Sequence, residues 1–168
     1  MLRKGLMTKS ALFLFCFVIG LYLRALAHVK VAFFEYRQSN GQIQSIEPGG
    51  RLYHVAIQYK DQWMNAHPFY GVQIVDHVQQ IGKIYSIIEI DRNIAESDYM
   101  AQMGKLFSIQ EGWESRKFTY CSKLVGQLLG IQPTLMKSGP GLGLSPDDLY
   151  KILKSVPHNE VFSCKALF

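Results

Sequence analysis

The segment RLYHVAIQYKDQWMNAHPFY, residues 51–70, decides how the middle of the chain folds. Apolar and polar residues alternate on both sides of Lys60-Asp61, which is typical of two strands joined by a tight turn. A hairpin that turns on this pair brings residues whose numbers add to 121 opposite each other, so His54 faces His67. Because opposed side chains share a face with Cβ atoms about 4.5–5.5 Å apart, the two rings can exchange a hydrogen bond.

The same alternation sorts the first strand of this hairpin into two faces. Val55 and Ile57 take one face, while His54, Ala56 and Gln58 take the other. The small side chain of Ala56 leaves space beside the His54 ring.

The other periodic segments predict an α+β fold, a small antiparallel sheet packed against helices. Further strands are predicted at residues 29–36, 42–46, 71–78 and 84–90, and helices at 96–107, with Ser97 as N-cap, and in the second half of KFTYCSKLVGQLLGI, 117–131. Ser145-Pro146-Asp147-Asp148 is a capping signature that opens one more helix.

Residues 1–27 have the three parts of a secretory signal peptide. Arg3, Lys4 and Lys9 precede a 13-residue apolar run, residues 11–23, and small residues follow it at Ala25 and Ala27. We therefore expect an exported protein, in the periplasm or secreted, with one folded domain at 28–168. An uncleaved segment that anchors the chain to a membrane is the alternative.

The charge balance argues against a nucleic-acid partner. The whole chain has 18 basic and 13 acidic residues, but four of the basic residues lie in residues 1–27. The rest of the chain keeps 14 basic and 13 acidic residues, a net charge of +1. We therefore expect no basic surface that would bind nucleic acid.

Cys121 is the candidate nucleophile. It falls at the predicted start of a helix, where backbone N–H groups and the helix dipole favour a thiolate and can stabilise an oxyanion. His54 can hold the thiolate as an ion pair and act as base, and His67 can orient His54. The alternative is structural: Cys121 is a small core residue, or it pairs with Cys164 in an oxidising compartment.

These residues resemble a known family. HVAIQY with His54, NAHP with His67, and TYCSKLVGQLL with Cys121 look like the circularly permuted papain-like fold, the NlpC-type branch that includes bacterial envelope amidase-like proteins and the lecithin:retinol acyltransferase group. In that branch the histidine strand precedes the cysteine helix, as it does here. The resemblance covers about residues 29–155.

The resemblance implies thiol-based cleavage or transfer at an acyl bond without a cofactor. Carried over to this sequence, Cys121 matches the nucleophile, His54 the base and His67 the third polar position. Export favours the amide bonds of cell-wall peptides as substrate, with lipid esters or acyl groups second. Oligomeric state stays open.

Two further alternatives come from other classes. His54, His67 and Cys121 are chemically competent zinc ligands, although the sequence has no close-spaced ligand pair. A binding domain without catalysis on the same fold is also compatible with these motifs.

Overall fold

The computed structural model describes residues 28–137 and 141–163. The strands are β1 (His28–Phe34), β2 (Tyr36–Arg37), β3 (Ile43–Gln44), β4 (His54–Tyr59), β5 (Gln62–His67), β6 (Gly71–Val75), β7 (Ile84–Asp91), β8 (Leu106–Phe107), β9 (Phe118–Thr119), β10 (Thr134–Leu135), β11 (Leu142–Gly143) and β12 (His158–Ser163). The helices are α1 (Glu96–Met100), α2 (Cys121–Leu128) and α3 (Pro146–Ser155), with a 3₁₀ turn at Val78–Gln80.

A six-stranded sheet organises the described residues and confirms the α+β class. Its strand order is β12-β7-β1-β4-β5-β6, and every neighbouring pair is antiparallel. Strands β4 and β5, which carry His54 and His67, lie towards the β6 side of the sheet, and helix α2 packs on them.

The hairpin of β4 and β5 has the predicted register. Ile57 pairs with Met64 and Tyr59 with Gln62, so the numbers of opposed residues add to 121. Lys60 adopts a left-handed conformation, φ 55°, which allows a two-residue turn without glycine. Extending this register places His54 opposite His67, although the recorded β4–β5 pairs stop at Ile57.

The two faces of the sheet differ in what covers them. On one face, Val55, Ile57 and Met64 join the main core with Cys121 and Leu124 of α2. On the other, a smaller cluster contains the following side chains: Ala32, Phe34, Ala56, Trp63 and Val78. Because side chains alternate along β4, His54 and Ala56 share this second face.

Two helix starts agree with their sequence signals. Helix α2 begins at Cys121 after the extended residues Phe118–Thr119. Helix α3 begins at Pro146, and its N-cap Ser145 accepts a hydrogen bond from the backbone N–H of Asp148.

The predicted helix at 96–107 was wrong in length and in its cap. The observed helix covers only Glu96–Met100, its N-cap is Ala95 instead of Ser97, and Leu106–Phe107 forms β8. Gly104 has φ 78°, which an α-helix cannot contain, so the chain turns there before β8 pairs with β9.

The proposed signal peptide, residues 1–27, and Cys164 lie outside the described residues. Among the described helices, none has the length and apolar content needed to cross a bilayer.

Candidate active site

Cys121 is the first residue of α2 and lies at the boundary between helix and sheet. Its side chain is 1% exposed, and it packs on the same side of the helix as Leu124 and Val125, as the sequence predicted. Tyr120, the N-cap, is extended and makes no side-chain cap. The first N–H groups of α2 therefore have no capping side chain and are free to act on the Cys121 sulfur.

Burial raises the pKa of the Cys121 thiol to about 11. Backbone hydrogen bonds from Val55 and Ser122 act in the opposite direction, as expected for a helix N-terminus, but they are outweighed. The helix start therefore acts on the thiol in the predicted direction, but burial outweighs it and the thiol is neutral near pH 7 in this structure.

His54 opens β4 with its ring beside Phe34, and the ring centroids are 5.9 Å apart. Burial lowers the pKa of His54 to about 4, while the side chain of Asn65 raises it and the charge of His67 lowers it further. His54 is therefore neutral at physiological pH and has the protonation state of a general base.

Strand β4 places the backbone of Val55 against Cys121, but it does not bring the His54 side chain to the sulfur. The sulfur receives a hydrogen bond from the backbone of Val55, the residue directly after His54. The His54 ring points instead to the face that carries Phe34. Within residues 28–137 and 141–163 no hydrogen bond or ion pair links the thiol to the ring, and the neutral thiol and the neutral imidazole lie on opposite faces of the sheet.

His67 ends β5 and makes local contacts. Its Nδ1 accepts a hydrogen bond of 3.2 Å from the backbone N–H of Phe69, and its ring stacks on Tyr70 with the centroids 4.7 Å apart. The predicted ring-to-ring hydrogen bond with His54 does not form among the described residues. The two histidines interact only through charge.

Asn65 is a candidate site residue that sequence reasoning missed. It is 1% exposed and lies two residues before His67, on the same face of β5. Its amide is close enough to raise the His54 pKa, yet neither amide atom, nor Nε2 of His54, has a hydrogen bond of normal geometry in the described part of the chain. The hairpin register was the available signal, because it sets Asn65 opposite small Ala56 and diagonal to His54.

The segment before α3 closes over the start of α2. The Tyr120 hydroxyl accepts a hydrogen bond of 3.1 Å from the backbone N–H of Leu144, and the Ser122 hydroxyl donates one of 2.5 Å to the Leu144 carbonyl. A Cβ added at Gly143 would lie 2.6 Å from the Tyr120 hydroxyl, so this packing requires glycine. These contacts hold Leu144 against the start of α2, and Leu144 and Cys121 both belong to the main core.

Lys123 of α2 binds the chain segment that leads into the helix, from Gly112 to Phe118. Its side chain is fully buried, and Nζ donates to the carbonyls of Gly112, Ser115 and Phe118 at 2.8, 2.8 and 2.9 Å. The residues that precede Cys121 are thereby held by a residue of α2 itself. This role was not predictable from the sequence, because a lysine within a helix usually faces water.

Comparisons with known proteins identify no relative: no family model, no curated protein and no solved structure matched the chain. The described residues also contain no group of three or more His, Cys, Asp or Glu side chains placed to hold a metal ion, so their geometry lends no support to zinc ligation by His54, His67 and Cys121.

Proposed function

We propose that the chain is an exported cysteine hydrolase of the permuted papain-like type, which cleaves amide bonds, with cell-wall peptides as the first substrate class. The observation that carries the proposal is the position of Cys121. It is the first residue of a helix, and its sulfur faces backbone N–H groups of Val55 and Ser122. The residue before Val55 in β4 is His54, which is neutral and whose ring lies on the opposite face of the sheet.

In the proposed reaction, a ring nitrogen of His54 takes the thiol proton while sulfur bonds to the amide carbonyl carbon. The carbonyl oxygen becomes an oxyanion, which the backbone N–H groups at the start of α2 stabilise. His54 then gives the proton to the amide nitrogen, the C–N bond breaks, and an acyl-enzyme is left. Water then attacks the thioester carbonyl and gives a proton to His54. The C–S bond breaks, the acid product leaves, and His54 returns the proton to the sulfur.

The structure, with a neutral thiol and a neutral imidazole that do not touch, is the resting state in this scheme. With the thiol pKa at about 11 and the ring pKa at about 4, moving the proton from sulfur to ring costs on the order of 10 kcal/mol, at about 1.4 kcal/mol per pKa unit. Entry of substrate and water must reduce this cost, and the start of β4 must rearrange to bring the His54 ring to the face of the sheet that carries the sulfur.

Asn65 is a better third residue than His67 in this proposal. Nδ1 of His67 is engaged by Phe69, whereas the Asn65 amide has both its polar atoms unpartnered among the described residues, close to His54. An amide oxygen can accept the ring N–H and hold the tautomer that leaves the other nitrogen free as base.

The test is digestion of purified cell-wall peptides, followed by mass spectrometry of the products. We expect new amide-cleavage products with the wild type, none with Cys121→Ala or His54→Ala, and normal products with the exposed matched control His28→Ala. Full cleavage by Cys121→Ala would refute the mechanism. If the protein cleaves acyl esters but no amide, the lipid-ester alternative would replace the amide substrate in this proposal, with the same site residues.

A further inference from the structure

A cleft of about 530 Å³ lies between the turn before β4 and the start of α3. We call it the Glu47 cleft. Its lining contains three acidic residues, three basic residues and several apolar side chains, among them Glu47, Asp147, Asp148, Arg51, Lys137 and Lys151. Several of these charges already have partners within the protein: Arg51 bonds the Glu35 carboxylate, and Nζ of Lys151 lies 3.7 Å from Oδ1 of Asp148.

The turn that forms one wall is fixed by its sequence. The backbone N–H of Gly50 donates to the Glu47 carbonyl at 2.9 Å, and Gly49 has φ 74°, as a type II turn requires. Both Asp147 carboxylate oxygens accept backbone N–H groups, from Arg51 at 2.9 Å and Leu52 at 3.1 Å. The acceptors of Asp147 are thus already used within the protein.

Glu47 differs from the other acidic residues of the cleft. It is 7% exposed, and its Oε1 accepts the backbone N–H of Lys137 at 3.2 Å. Its Oε2 is buried and has no hydrogen-bond partner among residues 28–137 and 141–163. A buried carboxylate oxygen without a donor is costly, and a ligand that supplies a charged N–H donor removes that cost.

The cleft also borders both chain segments that supply the candidate active site. Ser145 in its lining follows Leu144, whose backbone bonds the side chains on either side of Cys121. Leu52, held by Asp147, lies two residues before His54. A peptide bound in the cleft therefore lies beside the elements that carry the proposed nucleophile and base.

We propose that the Glu47 cleft binds a peptide end that carries a primary ammonium group near a carboxylate, such as a C-terminal lysine residue. The ammonium bonds Oε2 of Glu47, and the carboxylate lies towards Lys137 and Lys151. Its role as a substrate subsite rests on the proposed hydrolase function, whereas the binding itself does not.

The test is an NMR titration of the full chain with N-acetyl-alanyl-lysine, read at the amide signals of Gly49 and Gly50. We expect saturable shifts, and affinity weaker by about tenfold or more when the lysine Nε is acetylated, because a hydrogen bond to a charged group is lost. Glu47→Gln, which keeps an acceptor for the Lys137 N–H, should show the same loss. The exposed control Glu111→Gln should bind as the wild type.

The acetylated probe needs no mutation, so the test does not depend on the variant folding. Absence of saturable shifts, or equal affinity for the two probes, would overturn the proposal. Repeating the titration with Cys121→Ala separates the two claims: binding that persists in this variant supports the cleft even where the wild type cleaves no peptide. Binding that this substitution abolishes in a folded protein would contradict a separate cleft.

Discussion

Replacing Lys123 by Met tests how the segment before Cys121 is held. The change keeps the length and apolar stem of the side chain but removes the ammonium that donates to the carbonyls of Gly112, Ser115 and Phe118. Each carbonyl left without a donor costs about 1–3 kcal/mol, and relief of the buried charge offsets part of the total. We expect a loss of roughly 3–5 kcal/mol in the free energy of unfolding, or a Tm lower by roughly 10 °C.

Urea unfolding followed by circular dichroism measures this loss, with Lys83→Met, a substitution of an exposed lysine, as the matched control. Hydrogen exchange should accelerate in residues 112–119 before it does so in the central strands of the sheet. A loss below about 1 kcal/mol for Lys123→Met would refute the reasoning, because the three bonds would then contribute no more than a surface ion pair.

Three further changes have expected outcomes. Because burial holds the His54 pKa at about 4, below its unfolded value near 6.5, stability should be lost as pH falls between these values, by about 3 kcal/mol in total. His54→Gln should abolish this part of the pH dependence in chemical unfolding. Ser145→Ala removes the N-cap of α3 and should cost about 1 kcal/mol, against little change for exposed Ser155→Ala. Gly50→Ala places a Cβ 2.5 Å from Oδ2 of Asp147 and should lower the Tm, whereas Gly82→Ala, whose Cβ would meet only the Phe34 ring at 3.7 Å, should do so less.

The hairpin at 51–70 was predictable because its signal is local. The period-2 pattern and the two-residue turn fix which residues oppose each other, and one shift in register would have exchanged the two faces. The starts of α2 and α3 were predictable for the same reason, since the apolar stripe and the Ser-Pro-Asp-Asp cap lie within a few residues of each other.

The features that sequence reasoning missed depend on contacts between distant segments. The apolar spacing at 96–107 suggested one long helix, but pairing of Leu106–Phe107 with Phe118–Thr119 ends the helical region early. The pKa of Cys121 is raised because the thiol is buried in the main core, which also contains Leu144. No sequence motif predicts this burial. Asn65 is an exception, because the predicted hairpin register already places it on the same face as His54.

The most direct test of the central claim, nucleophilic catalysis by Cys121 with His54 as base, is acylation by p-nitrophenyl acetate followed by intact-protein and peptide mass spectrometry. The account predicts a burst of p-nitrophenol, one acetyl group on Cys121, and slow release of that group by water. His54→Ala should reduce both rates, and Cys121→Ala should abolish the adduct. An adduct on other residues only, or equal acylation in wild type and His54→Ala, would contradict the account.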